Sequence, residues 1–388
     1  MYPTLYHLVY DLFGIEIPMF KLVQSFGMMV ALAFISASTV MATELRRKEG
    51  LGLISTTTRK IWKGKPSTLV DKITSGVIGF LIGFKVLEMI LNPSVLDDTQ
   101  ALFLSLQGNL IGGLLLGAAF VASRIYEDKK NGLDEPVEVT EIIHPADHAG
   151  TITIIAAVVG ILGAKIFHNL ENLDDFFRDP VGSLLSFSGL TFYGGLICAT
   201  IAIVWYARKH NIKVVHLVDS ITPGLMLSYG VGRIGCHLAG DGDWGIGNTA
   251  PMPDWLAFLP EWVWAYDYPN NVLSEGVRLT EGIIYPGYGY HLVPSVFPTA
   301  IYEVAMSLTI FAFLWAMRKR WSTPGMISAV YLIFNGTERF LIEKIRVNNL
   351  FDIMGLQLTQ AEVISFGIFI MGVAGIFLSK KYGHKWAE

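Results

Sequence analysis

The sequence of 388 residues predicts an all-α polytopic membrane protein with about nine transmembrane helices. Hydrophobic residues make up 52% of the chain and charged residues only 16%, whereas soluble domains carry roughly a quarter charged residues. Apolar runs close to the roughly 20 residues that a bilayer requires recur along the chain, separated by short polar stretches. The nine predicted spans cover residues 20–43, 73–92, 101–123, 150–168, 190–207, 214–236, 298–317, 325–345 and 361–379.

The basic residues are distributed unevenly among the loops between these spans. Clusters of lysine and arginine follow the first, third, fifth, seventh and ninth spans, whereas the opposite loops hold little beyond Arg178 and Arg278. Because loops rich in lysine and arginine stay in the cytoplasm, this distribution predicts that the N-terminus is outside and the C-terminus inside. The longest loop, at about 238–297, is then extracytoplasmic.

The predicted spans divide the chain into six regions. They are an N-terminal interfacial arm at 1–19, the first transmembrane helix and a basic cytoplasmic loop at 20–72, a transmembrane helix pair at 73–123, core transmembrane helices with a cytoplasmic linker at 124–237, an extracytoplasmic loop or head at 238–297, and C-terminal transmembrane helices at 298–388. The arm lacks the basic segment that begins a secretory signal peptide, so we expect it to be retained.

Charge and cysteine content exclude several classes of site. The formal net charge is only −4, so the composition implies no nucleic acid partner. Cys198 and Cys236 fall in or beside apolar runs, which argues against a disulfide framework or a cysteine-rich metal site. His144, Asp147 and His148 lie in an otherwise solvated linker, and we expect no metal there.

The stretch DGDWGIGNTAPM begins like a calcium loop, with Asp241 and Asp243 at its first and third positions. Ile246 and Met252 then occupy the positions that require glycine and glutamate, so we expect no calcium either. The nearby glycines, including Gly245, favour a tight non-helical segment whose amides can approach a ligand.

Ionisable residues inside the predicted spans fall toward the outer leaflet. Arg233 lies near the outer end of the sixth span. Arg339 is about fourteen residues from the cytoplasmic start of the eighth, or roughly 21 Å across a core of about 30 Å. The same level holds Gln24, Ser25, Lys165, Tyr193, Tyr302, Glu303, Glu343 and Arg346. Charges at this depth are costly and normally face a bundle interior, paired with each other or with a ligand.

Spacing along the eighth span predicts a polar stripe on one helical face. Its members are Asn335, Arg339, Glu343 and Arg346. Residues three and four apart are neighbours on a helix, so Glu343 is able to orient Arg339. A single arginine is as well explained by a structural ion pair, but two on different helices at one depth favour a function. Paired guanidiniums suit a phosphate, and at the outer leaflet a phospholipid headgroup is the obvious source.

Several motifs resemble those of the prolipoprotein diacylglyceryl transferase family. The stretch Gly232, Arg233, Ile234, Gly235, followed by Gly240, Asp241, Trp244 and Gly245, resembles the family signature. Further pieces stand in the family's order: SFGMM at 25–29, GAKIF at 163–167, FYGGLI at 192–197, DSITPGL at 219–225, FPTAIYE at 297–303 and ERFLIEKIR at 338–346.

The resemblance implies transfer of the diacylglyceryl group of phosphatidylglycerol to the lipobox cysteine in the signal peptide of a bacterial preprolipoprotein, with release of glycerol 1-phosphate. Arg233 and Arg339 would hold the phosphate, with Tyr193 and Glu343 also catalytic and no cofactor or metal required. Substrate-binding residues would be Arg233, Arg339, Arg346, Gly194, Gly195, Cys236, His237, Asp241, Gly245, Tyr302, Glu303 and Phe26. The expected location is the bacterial cytoplasmic (inner) membrane, among membrane lipids.

Four positions depart from the family pattern. Tyr193 stands where the family has histidine, Cys236 where it has asparagine, Phe26 where it has tyrosine, and Phe297 where it has a histidine before proline. Tyrosine is a poor base near neutral pH, so either its hydroxyl only donates a hydrogen bond or another residue is the base, with His237 and Glu303 as candidates. Cys236 is interpreted as a replacement of a small polar neighbour, with a covalent enzyme intermediate as the alternative.

The family core has seven spans, so the pair at 73–123 is predicted to be an insertion that crosses out and back and leaves later helices in the same orientation. The dense basic residues at 46–72 suit docking on anionic inner-leaflet lipids. Two other classes of function use the same arginines. They are an anion or phospholipid transporter and a non-catalytic lipid-binding membrane protein.

Overall fold

Long helices make up most of the fold. The computed structural model describes residues 1–97, 102–103, 105–133, 136–186, 189–348, 350–353 and 356–387. Within these ranges, seven helical segments are long and apolar enough to cross a membrane, which agrees with a polytopic membrane protein. They contain α2 (Ser25–Gly50), α3 (Leu69–Leu91), α4 (Leu110–Asn131), α5 (His148–Glu171), α9 (Val214–Ala239), α10 (Thr299–Met317) and α12 (Gln360–Ala387).

The other helices are shorter or more polar. Two of them, α8 (Phe192–Lys209) and α11 (Met326–Glu343), have 18 residues each and coincide with the fifth and eighth predicted spans. Their charged ends lower their average hydropathy, so the total of nine crossings stays a prediction, as does the orientation. The remaining helices are α1 (Leu5–Phe13), α6 (Leu173–Arg178) and α7 (Pro180–Leu185).

Helix α9 is the central element of the bundle. It packs against α2, α10, α11 and α12, while α5 pairs with α8 and α11 with α12. Of the residues in its most apolar stretch, 50% are buried inside the protein, compared with 17% for the corresponding stretch of α2. Its glycines allow a close approach to α2, because a side chain at Gly235 would meet Phe26 and Met29. The residues at the end of α9 are therefore held rigidly relative to the helices around it.

The end of α2 corrects one prediction. Arg46, Arg47 and Lys48 were expected in a loop, but α2 continues to Gly50. Buried Glu44 pairs with Arg47 at 2.5 Å and with Arg318 at 3.2 Å. Lys48 Nζ donates to the carbonyl of His216 at 2.8 Å. Because these charges have partners inside the protein, the helix extends past the apolar run.

The pair α3–α4 forms a self-contained hairpin. The third predicted span, 101–123, includes residues 101 and 104, which lie outside the described residues, and α4 begins only at Leu110. Glycines line the contact, since a Cβ at Gly83 would lie 2.2 Å from the carbonyl oxygen of Gly112. Strands β1 (Thr57–Lys63) and β2 (Val137–Ile143) flank the hairpin and pair antiparallel. Lys60 in this ribbon pairs with Glu138 at 3.0 Å, so part of the basic loop is neutralised within the chain.

The segment 240–298 forms a head of loops and short elements at one end of the bundle. It contains β3 (Val277–Arg278), β4 (Tyr290–His291) and the 3₁₀ turns Asp254–Leu256 and Glu261–Val263. Tyr268 and Trp244 are buried in its core. Strands β5 (Leu350–Ile353) and β6 (Leu356–Thr359) form a hairpin between α11 and α12.

The N-terminal arm packs against this head. The amino group of Met1 donates to the carbonyl of Pro269 at 2.7 Å, and the ring of His7 packs at a tilt on Tyr285 with centroids 4.2 Å apart. The 3₁₀ turn Pro18–Leu22 also contacts the turn Pro93–Asp97 after α3. The arm thus connects the head to the α3–α4 hairpin.

Candidate active site

Three arginines from two distant parts of the chain meet beside the head. Arg233 lies near the end of α9, Arg339 in the last turns of α11, and Arg346 just after α11. They surround Glu303, in the first turns of α10, and Asp243, in the loop after α9. We call these five residues the arginine cluster.

Glu303 is the inner partner of the cluster. Its side chain is fully buried, with 0% exposed, and its Oε2 lies 2.6 Å from Arg233 Nε. Its Oε1 lies 3.6 Å from Arg339 Nη1 and 3.4 Å from Arg346 Nη1. Arg233 and Arg339, which the sequence places at one depth on separate helices, therefore share one carboxylate. Asp243 and Glu343 also pair with these arginines, so an anion that binds the guanidiniums has to take the place of one of the carboxylates.

Asp243 is the more exposed partner, and its only predicted resemblance was to a calcium ligand, which the rest of the loop does not support. Its Oδ2 contacts Arg233 Nη1 and its Oδ1 contacts Arg346 Nη2. The side chain is 26% exposed. The loop that carries it is turned by Gly240 and Gly242, whose φ angles of 64° and 97° lie in the region that favours glycine. The two glycines that follow the arginine motif are the sequence feature from which this turn could have been predicted.

The predicted stripe on α11 is partly wrong. Arg339 Nη2 pairs with Glu343 Oε2 at 3.0 Å, as the four-residue spacing indicates. The helix ends at Glu343, so Arg346 does not share its face. Arg346 reaches the cluster instead through a backbone bridge to Gly245. The amide of Ile246 strengthens that pairing by donating to the carbonyl of Ile345 at 2.8 Å.

Glu338 is a buried acid at the start of the motif ERFLIEKIR for which the sequence predicted no role. Both of its carboxylate oxygens are buried without a hydrogen-bond partner among the described residues. It lies within electrostatic range of Glu303, Arg233 and Arg339. Its position next to Arg339 in the sequence was the only feature that indicated a place near the cluster. The Glu338 carboxyl group adds a polar group beneath the arginines.

Tyr193 faces the same region from α8. It is partly exposed and lies within electrostatic range of Arg339 and Glu343. The adjacent glycines serve helix packing, because a Cβ at Gly194 would lie 2.3 Å from Phe167 Cβ, and one at Gly195 would lie 2.7 Å from the carbonyl oxygen of Gly160. The structure therefore places Gly194 and Gly195 against α5, in contacts that fix the position of Tyr193.

Cys236 lies at the edge of the cluster. Arg233 Nη1 approaches its Sγ at 3.7 Å, and the thiol is buried. Cys236, Asp241 and Asp243 offer ligand atoms within 4.8 Å of one another. A cation there would face Arg233, which already contacts both Cys236 and Asp243. The residues therefore do not fit a metal ion. Burial raises the pKa of Asp241 above its ordinary value.

Four further predicted residues have mainly structural contacts. His237 Nδ1 lies 3.3 Å from the hydroxyl of Tyr268, and its ring packs on Tyr266. The Tyr302 hydroxyl donates to the carbonyl of Val263 at 2.6 Å. Phe26 lies against α9 at Gly235. The amide of Gly245 donates to the carbonyl of Phe297 at 2.8 Å. These contacts hold the head and helices around the cluster, and Gly245 also reaches Arg346 through its backbone bridge.

Comparison with known proteins gives a consistent result. The model of the family described as prolipoprotein diacylglyceryl transferase matches residues 134–378. A phosphatidylglycerol–prolipoprotein diacylglyceryl transferase of Dehalococcoides mccartyi is 28% identical over 240 residues, covering 61% of this chain and 79% of the relative. Proteins of the same name from Clostridium tetani and Corynebacterium diphtheriae are each 25% identical, over 67% and 59% of this chain and 91% and 76% of their own lengths. Because the family model matches more than half of the chain, this protein belongs to the prolipoprotein diacylglyceryl transferase family.

Proposed function

We propose that this protein is an enzyme that transfers the diacylglyceryl group of phosphatidylglycerol to the lipobox cysteine of a preprolipoprotein. Its family and the names of its relatives support this activity. The observation that carries the proposal is the arginine cluster, in which three guanidiniums converge on one buried carboxylate. Such a site suits the phosphate of a phospholipid.

The proposed topology places the cluster in the outer leaflet. It has nine crossings, counting α8 and α11, with the N-terminus outside and the C-terminus inside the bacterial cytoplasmic membrane. The basic residues Arg47, Lys48 and Arg318 lie at the opposite end of the bundle from the cluster, which supports this orientation. The head then faces the side on which a signal peptide emerges.

The reaction is a substitution at carbon. The sulfur of the substrate cysteine attacks the glyceryl carbon that bears the phosphate, a C–S bond forms, and the C–O bond breaks with its electron pair on the phosphate oxygen. Glycerol 1-phosphate leaves. Arg233 and Arg339 stabilise the charge that develops on this phosphate, with Arg346 beside them and Glu343 orienting Arg339. One lost donor of this kind costs on the order of 3 kcal/mol.

No strong base is required by this scheme. A thiol with a pKa near 8.5 is already a few per cent ionised at neutral pH, so its proton can pass to water. Glu303 is a poor base because its oxygens already contact three arginines. His237 is engaged with Tyr268 in the head. Tyr193 is the remaining candidate to contact the thiol, and we assign its hydroxyl the role of donating a hydrogen bond to the substrate sulfur.

The contacts at the inner end of the bundle disfavour a transporter. Asp219 accepts hydrogen bonds from the amides of Gly325 and Ser328 at 2.7 and 3.1 Å. Lys48 is held by the carbonyl of His216. The polar groups there are engaged in helix-to-helix contacts, so they do not extend the arginine cluster into a path for ions.

The test is a transfer assay with purified protein in vesicles that contain phosphatidylglycerol. A synthetic lipobox peptide is expected to gain the mass of one diacylglyceryl group. Arg339→Ala should lower the rate by about 100-fold or more. Arg318→Ala is the matched control, since it also removes a paired arginine, at the opposite end of the bundle. Full activity of Arg339→Ala, or no peptide product with the unmodified enzyme, would contradict the proposal.

A further inference from the structure

Asp243 makes the kind of contact with the arginine cluster that a phosphate would make. One carboxylate spans Arg233 and Arg346, with one oxygen on each guanidinium. A phosphodiester also carries a single negative charge shared by two oxygens, and it binds arginines through the same charge-assisted contacts. The two groups therefore compete for the same donors.

The cluster has two carboxylates in different surroundings. Glu303 is fully buried, so its loss would leave buried guanidiniums without a counter-ion. Asp243 is 26% exposed and lies on the accessible side. An incoming anion can therefore replace Asp243 but cannot reach the position of Glu303.

The loop around Asp243 is built so that its backbone stays in place when the side chain moves. The carbonyl of Asp243 accepts a hydrogen bond from Thr299 Oγ1 at 2.7 Å. Trp244 is buried, and Gly245 bridges to Arg346. On the other side, Gly242 adopts a φ of 97° that gives the chain a turn. Rotation of the Asp243 side chain is enough to free the two arginines.

We propose that Asp243 is a placeholder anion that occupies the phosphate position until phosphatidylglycerol displaces it. The inference rests on the proposed function, because it assigns the phosphate to the same arginines. Like charges on shared donors repel, so the lipid phosphate and ionised Asp243 do not bind Arg233 and Arg346 together. Asp243 thereby weakens the binding of phosphate compounds, including the released glycerol phosphate, and favours product release.

Asp243→Asn tests this idea because it keeps the shape of the side chain and removes the competing charge. We expect the KM for phosphatidylglycerol in the peptide assay to fall by about 10-fold, which corresponds to roughly 1.4 kcal/mol of lost competition. Inhibition by added glycerol 1-phosphate should strengthen by a similar factor. Asp267→Asn is the matched control, since it removes a carboxylate of the head that pairs with His291 and does not contact the arginines.

Each result of these measurements either supports or contradicts the placeholder role of Asp243. An unchanged or higher KM in Asp243→Asn, while the unmodified enzyme is active, would contradict the placeholder role of Asp243. A loss of kcat at constant KM would contradict it as well.

If the unmodified enzyme transfers no diacylglyceryl group, the proposed function itself is wrong. Calorimetric titration with phosphatidylglycerol vesicles, and separately with soluble glycerol 1-phosphate, then tests the placeholder on its own. Binding no tighter in Asp243→Asn than in the unmodified protein would reject it. Asp243→Ala provides a second variant if the asparagine variant does not fold.

Discussion

The two ends of the bundle each contain a buried glutamate paired with arginines, but the surroundings differ. At the end away from the head, Glu44 pairs with Arg47 and Arg318, and Arg47 Nη2 also donates to the carbonyl of Arg318 at 3.3 Å. At the end beside the head, Glu303 pairs with three arginines, two of which also contact the partly exposed side chain of Asp243. The arginines at the first end are paired with groups that cannot leave, whereas two of those beside the head are paired with a side chain that can rotate away. The same pair of residue types thus suits a structural clamp at one end and, on the proposed function, a binding site at the other.

Exchanging each glutamate for glutamine tests this contrast most strongly. Glu303→Gln should reduce transfer per folded molecule by about 100-fold or more, because it disturbs all three arginines. Glu44→Gln should leave transfer nearly unchanged but destabilise the protein by about 3 kcal/mol through the unpaired arginines. Activity and thermal unfolding in detergent measure the two effects. Equal effects of the two variants on activity would remove the distinction.

A second prediction concerns the arginine that lies beyond α11. Arg346→Lys keeps the positive charge but loses the fork of donors that contacts both Asp243 and Glu303. We expect transfer to fall by about 10-fold. The peptide assay at saturating phosphatidylglycerol measures this, with Lys344→Arg as a control on the neighbouring residue. A rate equal to that of the unmodified enzyme would show that Arg346 contributes only charge.

The head also takes part in a pH-dependent contact, between His7 of the N-terminal arm and Tyr285. Burial lowers the pKa of His7 to about 4, with Lys21 contributing, against about 6.5 in an unfolded chain. Because the folded state binds the proton more weakly, packing of the arm is complete above about pH 6.5 and weakens as the pH falls toward 4.

Limited proteolysis of the arm checks this prediction. Cleavage near residues 10–16 should accelerate between pH 6.5 and 4.5 by a few fold. His7→Gln, which cannot titrate, should show a flat profile over the same range. Equal protection of the unmodified arm at both pH values would count against the contact with Tyr285.

The smallest expected effect is at Cys236. Its thiol is buried beside Arg233 and forms a hydrogen bond with Asp241 of the head, which a serine hydroxyl can also form. Cys236→Ser should therefore change the rate by less than about threefold, since hydroxyl and thiol are similar in size. Mass spectrometry of the unmodified enzyme during turnover should find no diacylglyceryl adduct on this residue. A trapped adduct would instead establish a covalent intermediate.

Parts of this site could be predicted from sequence because helical geometry is regular. A constant rise per residue placed Arg233 and Arg339 at one depth, and the four-residue spacing paired Arg339 with Glu343. Arg346 could not be placed in this way, because the end of α11 depends on pairing between two loops. Asp243 was missed for the same reason, since its direction is set by glycines with positive φ. The length of α2 was underestimated because hydropathy does not register a buried ion pair such as Glu44 with Arg318.

The ribbon of β1 and β2 bears on the prediction that the α3–α4 hairpin, which precedes the region matched by the family model, is an insertion. Lys63 and Val137 face each other across the ribbon, so the segment between them enters and leaves the rest of the chain at neighbouring points. Excision of 64–136 and closure with a tight two-residue turn would convert the ribbon into an ordinary hairpin. The ribbon therefore allows this segment to be inserted or removed as one piece, without a change in the helices that carry the arginine cluster.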